Sequence, residues 1–225
     1  SQRARLERDY VPVTQEMLND PDPSDWLMWR RSYEGWGYSP LDQVDRNNVH
    51  TLQLAWSYAL DPYGGGSQTE PIVHDGVLYL RHPSELLAAH DATSGDLLWE
   101  YSRNLPQDIA GLRGITLHRG RGLAVDGDRI FNFSTDGFLY AVDARTGELI
   151  WETQMFDYRD TRHQASGAPT VFGGVVVVPL NCSNGAAVPT CHLSAPLRTT
   201  VKLRTPTGSL CSTASCMGSM QICIP

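Results

Sequence analysis

One stretch of the sequence occurs twice at a fixed spacing, and this repeat constrains the fold more than any other feature. Leu86–Glu100 reads LLAAHDATSGDLLWE, and Phe138–Glu152 reads FLYAVDARTGELIWE. The Asp, Gly and Trp of the two copies are each 52 residues apart (143−91, 147−95, 151−99). Self-similarity at a period of this length predicts stacked β-units, as in a propeller or a solenoid.

Each copy has the pattern of a strand, a turn and a second strand. Leu139–Val142 is an apolar run that suits a buried strand, and Asp143–Gly147 has turn residues. Leu149–Trp151 restarts a strand and ends on an aromatic side chain, which can bury roughly 150–250 Å² between neighbouring sheets. An ordinary antiparallel hairpin with a DxxTG turn is the alternative, but two matched copies favour a repeat architecture.

Three further hairpins are predicted from pairs of turn residues between apolar runs. They are Ile72–Leu80 around Asp75-Gly76, Leu123–Phe133 around Asp126-Gly127, and Pro169–Pro179 around Gly173-Gly174. Each period therefore holds about four strands. Four-stranded units at a period near 50 residues predict the blades of an all-β propeller rather than a solenoid of single strands.

The residues before the repeat predict an arm and a first strand. Residues 1–25 are polar and proline-containing, and we expect them to lie over the domain, with a short helix over Thr14–Asn19. Residues 25–41 contain three Trp and two Tyr and predict a loop whose aromatic side chains cover a surface. Leu52–Leu60 alternates between apolar and polar residues and predicts a strand with Trp56 at its centre.

Composition excludes some classes of function. The net charge of −7 argues against a nucleic-acid partner, and no stretch approaches the ~20 apolar residues of a membrane span. The sequence does not begin with Met and has no recognisable signal peptide, so we expect a trimmed product or a part of a longer chain.

The repeat does not occur a third time. The positions expected for its Asp, Gly and Trp are occupied by Ala195, Thr199 and Leu203. Residues 196–225 are rich in Ser, Thr, Pro and Cys and lack aromatic and acidic residues. We therefore predict an arm at 1–25, a partial propeller at 26–195, and a tail at 196–225 that is non-native or disordered, from a shifted reading frame or a truncated gene.

A genuine cysteine-rich tail with disulfides is the alternative for residues 196–225. All five cysteines of the chain lie at or after Cys182, and the odd number leaves at least one thiol without an intramolecular partner.

Several motifs resemble one family. The pairs and runs are DW at 25–26, YSPLDQV at 38–44, NNV at 47–49 and LQLAW at 52–56. Together they resemble the N-terminal signature of the quinoprotein alcohol dehydrogenases, which use pyrroloquinoline quinone (PQQ). The two repeats resemble the tryptophan-docking motifs of that family, and PIVHDGVLY at 71–79 resembles its first-blade hairpin.

The resemblance covers residues 25–195 and carries several expectations. It implies an eight-bladed propeller, of which this chain holds an incomplete set of about three to four blades. It also implies a periplasmic location, PQQ, a Ca²⁺ or lanthanide ion, an alcohol as substrate, and an electron acceptor such as a cytochrome c or a quinone.

Residues for cofactor binding follow from the same resemblance. Gln68 stands where the family has a glutamate that hydrogen-bonds the quinone, and Ser166 stands where it has a threonine. Arg121 matches the quinone-binding arginine, a role that suits the planar, bidentate guanidinium. A surface salt bridge is the alternative for Arg121. Ile115 and Thr116 replace the adjacent cysteines on which the quinone often stacks.

The loop after the third hairpin corresponds to the metal-binding loop of the family. Cys182 and Ser183 are candidate cofactor contacts, and Asn184 stands near the position of the metal-binding glutamate. An amide oxygen can ligate Ca²⁺ but binds it more weakly than a carboxylate. A disulfide between Cys182 and Cys191 is possible in an oxidising compartment.

No catalytic residue is expected in this chain, because the catalytic aspartate of the family lies beyond residue 225 in this resemblance. We therefore expect the chain to be inactive by itself. The alternative function is a non-catalytic propeller that binds proteins of the cell envelope, for which the 25–56 signature, Arg121 and Ser166 would have no role. A complete short propeller is a third reading, and it requires regular strands within residues 196–225.

Overall fold

The computed structural model describes most of the chain, and all structural statements below concern those residues. They are 2–59, 68–83, 85–111, 120–159, 163–164, 167–182, 211–213 and 219–223. Among them, no helix combines the length and the apolar character that a membrane crossing requires.

Short helices precede three antiparallel sheets. The helices are α1 (Gln2–Asp9) and α2 (Gln15–Asn19), with 3₁₀ turns at Val49–Thr51 and Gln107–Gly111. The first sheet contains β1 (Ile72–His74), β2 (Val77–Arg81), β3 (Leu86–Asp91) and β4 (Leu97–Ser102). The second contains β5 (Ala124–Asp126), β6 (Arg129–Phe133), β7 (Phe138–Asp143) and β8 (Leu149–Gln154). The third contains β9 (His163–Gln164), β10 (Thr170–Phe172), β11 (Val175–Cys182), β12 (Cys211–Thr213) and β13 (Ser219–Cys223).

The first two sheets are four-stranded meanders of sequential strands, as expected for propeller blades. The three sheets are called blades 1, 2 and 3 below. Every strand of the second sheet begins 52 residues after its counterpart (124−72, 129−77, 138−86, 149−97). The repeat and the hairpins predicted from the sequence are therefore confirmed. The hairpin of the third sheet begins only 46 residues after that of the second (170−124, 175−129).

The Asp91–Gly95 and Asp143–Gly147 segments form the predicted turns. The amide of Gly95 donates to the carbonyl of Asp91 at 2.8 Å, and the amide of Gly147 donates to that of Asp143 at 2.8 Å. The Asp91 carboxylate accepts the amide of Thr93 at 2.8 Å. Both glycines have a positive φ, +78° and +76°, which L-residues with a Cβ rarely adopt.

Trp99, the tryptophan of the first repeat, lies on the turn of the next blade. The indole Nε1 of Trp99 donates to the carbonyl of Ala144 at 2.9 Å. A Cβ at Gly147 would lie only 2.5 Å from Cε3 of Trp99, so the indole lies directly on this glycine. Trp56 repeats the arrangement on blade 1, where it donates to a carbonyl at 3.0 Å and lies on Gly95.

The second blade is buried on both faces. Along β7, Tyr140 and Val142 belong to a cluster shared with blade 1, whereas Leu139 and Ala141 belong to a cluster shared with blade 3. This period-two alternation is the expected signature of a strand between two packed sheets.

The arm contacts one hairpin turn in each blade. Arg5 pairs with Asp75 at 2.5 Å in the β1–β2 turn, and Val13 exchanges two backbone hydrogen bonds of 2.8 Å with Gly127 in the β5–β6 turn. The amide of Gly173, in the β10–β11 turn, donates to the side chain of Gln15 at 2.7 Å. The predicted helix α2 is present, with the Thr14 hydroxyl accepting the amide of Met17 at 3.3 Å.

A buried histidine joins the arm to blade 1. Nδ1 of His74 lies 2.8 Å from the Asp25 carboxylate, and Nε2 lies 2.8 Å from the carbonyl of Val11. Both partners are acceptors, so the ring satisfies them together when both nitrogens carry protons. Burial works to lower the pKa of His74, but these two hydrogen bonds raise it above its ordinary value.

One expectation for residues 25–60 was wrong and one was met in part. The described part of Leu52–Leu60 contains no strand, and Leu52 and Leu54 are 63% and 83% exposed. An extended segment becomes a strand when a neighbouring strand accepts its hydrogen bonds, and no described strand lies beside this one. The aromatic loop covers a surface only in part, because Tyr33 packs against Phe172 whereas Trp29 and Trp36 are exposed.

Two short strands lie within the tail, although the sequence there predicted no regular strands. β13 pairs with β11, and β12 pairs with β13, so that the order is β10-β11-β13-β12. This order departs from the sequential meander of the first two blades. Backbone pairing of eight residues does not decide whether residues 196–225 are native blade sequence, and the tail assignment stays a prediction.

Candidate cofactor site

The structure brings two of the predicted cofactor residues together. Gln68 precedes blade 1 and Arg121 precedes blade 2, and both side chains are exposed. Nε of Arg121 donates to Oε1 of Gln68 at 3.3 Å, across 53 residues of sequence. A cationic fork and an amide therefore stand side by side at one end of the sheets.

The segments that lead into blades 1 and 2, residues 68–71 and 120–123, are called their entries. Backbone pairing between these two blade entries positions Gln68 and Arg121. Glu70 and Gly122 form a parallel bridge, in which the amide of Glu70 donates to the carbonyl of Arg121 at 3.0 Å. The hydroxyl of Thr69 donates to the carbonyl of Gly120 at 3.1 Å. Thr69 and Glu70, which follow Gln68, are thus fixed relative to Gly120 and Arg121.

The entry to the third blade lies against the same segment. A Cβ at Gly122 would lie 3.1 Å from Cβ of Ala168 and 3.4 Å from the carbonyl oxygen of Glu70. Gly122 therefore allows residues 120–123 to run between the entries at 68–71 and 167–169. Ser166 directly precedes the third entry but lies outside the described residues.

A half-buried contact from the signature region supports the segment that leads into blade 1. Oε1 of Glu70 accepts the indole N–H of Trp26 at 3.2 Å and the amide of Arg30 at 3.0 Å. Trp26 belongs to the DW pair of the signature, and Trp26 and Val73 also form a β-bridge. The conspicuous DW pair therefore anchors the loop that carries Gln68.

Sequence reasoning missed Thr69, Glu70 and Gly120 as parts of this site. The repeat spacing could have indicated these residues, because Glu70 and Gly122 are also 52 residues apart (122−70). Aligning the two blade entries by that spacing would have paired them.

The predicted metal loop is largely outside the described residues. Cys182 ends β11, where its backbone pairs with His163, and nothing is described of its side chain. Ser183, Asn184, Ile115 and Thr116 lie outside the described residues, so their roles stay predictions. Within the described part of the chain, no group of three or more His, Cys, Asp or Glu residues has a metal-binding arrangement.

The arrangement of Arg121 and Gln68 fits a planar anionic ligand with carbonyl groups. The guanidinium suits a carboxylate, and the amide suits a carbonyl oxygen. Both groups are exposed at a junction of three blade entries that bring backbone close together through glycine. The residues present therefore fit a quinone that carries carboxylates.

Comparisons with known proteins agree with this reading. The family model of the PQQ glucose, ethanol and alcohol dehydrogenase β-propeller domain matches residues 26–190. The dehydrogenase subunit of the quinone alcohol dehydrogenase of Gluconobacter oxydans is 38% identical over 176 residues, 75% of this chain and 22% of the relative. The 1-butanol dehydrogenase (cytochrome c) of Thauera butanivorans is 39% identical over 162 residues, 71% of this chain and 23% of the relative.

A solved structure shows the same fold. The quinohemoprotein alcohol dehydrogenase of Comamonas testosteroni superposes with a TM-score of 0.70 at 26% identity, and the match covers 94% of this chain and 28% of that protein. The chain thus spans less than a third of each of these relatives. With the family model matching more than half of the chain, on blades of the expected topology, the chain belongs to the family of PQQ-dependent alcohol dehydrogenase β-propellers.

Proposed function

We propose that this chain contributes the Arg121–Gln68 part of a PQQ site in a dehydrogenase that oxidises an alcohol. The observation that carries the proposal is the 3.3 Å contact between these two side chains at the junction of three blade entries. Family membership supports the choice of cofactor, and the names of the relatives support an alcohol as substrate.

Arg121 and Gln68 bind different groups of the ligand in this proposal. Arg121 binds a carboxylate of the ligand through its planar fork of N–H donors. Because Oε1 of Gln68 accepts from Arg121, the amide nitrogen of Gln68 is the group suited to donate to a quinone carbonyl. An ionised glutamate at this position would accept a hydrogen bond but could not donate one. Gln68 can therefore donate to the quinone carbonyl where a glutamate could not.

PQQ, when bound, would take up the electrons that the alcohol loses. The described residues hold and orient it, and we assign to none of them the removal of the alcohol proton. We propose Asn184 as one ligand of a Ca²⁺ or lanthanide ion, and a cytochrome c or a quinone as electron acceptor. The relative from Thauera butanivorans, a 1-butanol dehydrogenase (cytochrome c), supports the cytochrome. The periplasmic location is likewise a proposal.

Titration of the chain with PQQ, followed by tryptophan fluorescence, tests the site. A hydrogen bond to a charged group contributes about 1.5–3 kcal/mol, so Arg121→Ala should weaken binding by about 10- to 150-fold. Arg129→Ala is the matched control, because Arg129 is an exposed arginine at the far end of the same β5–β6 hairpin. Equal affinities for both variants, or no binding by the parent chain, would contradict the proposal.

A further inference from the structure

A fully buried ion pair lies directly behind the Arg121 segment. Arg81 ends β2, and Glu85 lies in the β2–β3 turn, and their side chains are only 2% and 0% exposed. Nη2 of Arg81 donates to Oε1 of Glu85 at 2.6 Å. Burying such a pair usually gains little stability over apolar residues of similar size, so its position calls for another explanation.

Glu85 links this pair to the next blade. Its Oε1 also accepts the amide of Thr135 at 3.1 Å and the hydroxyl of Thr135 at 2.6 Å, in the β6–β7 turn. Glu85 itself has a φ of +61°, a left-handed conformation that is uncommon for a residue with a Cβ. The turn of blade 1 thus adopts a strained backbone that places a carboxylate between Arg81 and blade 2.

Arg81 lies against the backbone that carries Arg121. A Cβ at Gly120 would lie 1.4 Å from Nη1 and 1.9 Å from Cζ of Arg81, so the α-carbon of Gly120 lies directly on the guanidinium. The other side of this segment is held by Thr69 and Glu70, which bond the carbonyls of Gly120 and Arg121. The segment is therefore confined from two sides.

We infer that Arg81 and Glu85 are positioning residues that hold the Gly120–Arg121 backbone where Arg121 meets Gln68. Arg81 acts on the site through Gly120, which lies against its guanidinium. Nε and Nη1 of Arg81 have no hydrogen-bond partner in the part of the chain that the structure describes, which is unfavourable for a group retained for stability. As far as it concerns cofactor affinity, this inference rests on the proposed function.

Arg81→Met tests the inference because methionine replaces the unbranched stem of the side chain but lacks the planar charged group. The primary measurement is the ¹⁵N NMR chemical shift of Arg121 Nε, and it needs no cofactor. The signal is assigned by its loss in Arg121→Ala. We expect this signal to shift in Arg81→Met. Gly120→Ala should shift it as well, since the added methyl group meets the guanidinium.

Arg103→Met is the matched control. Arg103 also joins blade 1 to blade 2, through Asp136 at 2.9 Å and through Glu152, and it is 11% exposed. Arg81→Met loses an ion pair within blade 1 and Arg103→Met loses one between blades 1 and 2. Both variants should unfold at lower temperature, but Arg103→Met should leave the Arg121 Nε signal in place. Arg81→Lys keeps the charge opposite Glu85 and replaces Arg81→Met as the test variant if Arg81→Met does not fold. We expect Arg81→Lys to shift the Arg121 Nε signal less than Arg81→Met.

The cofactor titration separates the two proposals. Arg81→Met should weaken PQQ binding by about 10- to 100-fold, the range known for groups that orient metal-binding side chains, with Arg103→Met within about twofold of the parent. An unmoved Arg121 Nε signal in folded Arg81 variants, or the same shift in Arg103→Met, overturns the positioning role. Loss of PQQ binding in Arg81→Met but not in Arg121→Ala overturns the proposed function instead.

Discussion

Replacing Gly147 by alanine should measure how strongly blade 1 is docked on blade 2. The added Cβ would lie 2.5 Å from Cε3 and 2.8 Å from Cδ2 of Trp99. Atoms at such distances must move apart, and Trp99 is held by its 2.9 Å hydrogen bond to the Ala144 carbonyl. The substitution therefore forces the indole away from the turn on which it lies.

Two contributions set the size of the effect. Alanine in a left-handed conformation costs about 1–2 kcal/mol. Inserting a methyl group into a packed contact costs a further ~1–3 kcal/mol. The free energy of unfolding should therefore fall by about 2–5 kcal/mol in Gly147→Ala.

Gly127→Ala isolates the first contribution. Gly127, in the β5–β6 turn, also has a positive φ, of +60°, and a Cβ there would meet nothing within 4 Å. This variant should lose about 1–2 kcal/mol, which is the conformational cost alone. The difference between the two variants is the docking contribution of Trp99.

Urea denaturation followed by circular dichroism gives both free energies, and thermal midpoints should fall by about 2–4 °C per kcal/mol for a chain of this size. In a Trp99→Ala background, the additional cost of Gly147→Ala should disappear, because the clashing ring is absent. Equal losses for Gly147→Ala and Gly127→Ala in the parent chain would refute the reasoning, since the indole would then move away without cost.

Two further outcomes are expected. Trp56→Phe removes the N–H that bonds the Ala92 carbonyl at 3.0 Å and should cost about 1 kcal/mol in urea denaturation, whereas Trp29→Phe, at a side chain 57% exposed, should cost nothing measurable. Since the folded pKa of His74 is raised, stability from its contact with Asp25 should be complete below about pH 6.5 and lost as pH rises through the folded pKa. Asp25→Asn should flatten that dependence, and a pH profile that is unchanged in this variant would contradict it.

The blades were predictable because their determinants are local and repeated. Each copy of the repeat contains an aspartate in the turn, a glycine with a positive φ and a tryptophan near its end. Each of these residues has a local structural role, and the sequence contains the set twice. The strand predicted over Leu52–Leu60 failed for the opposite reason. Its alternation was correct for a strand, but strand formation depends on a partner that local sequence does not specify.

The candidate site was predictable in part. Arg121 and Gln68 followed from family resemblance, and the repeat spacing explains why they meet. The buried pair behind them was not predictable, because RHPSE at 81–85 has the composition of an exposed turn. Nothing in those letters indicates that Gly120, 35 residues further along, lies on the guanidinium (120−85).

The arm contacts described above have a consequence for the order of folding. Arg5, Val13 and Gln15 bond turns that lie 70, 114 and 158 residues further along the chain (75−5, 127−13, 173−15). Contacts at such separations form late, because the intervening chain must first lose most of its conformational freedom. Each turn, in contrast, closes within a few residues. The arm should therefore dock after the three hairpins have formed, and substitutions at Gln15 should accelerate unfolding while leaving the folding rate almost unchanged.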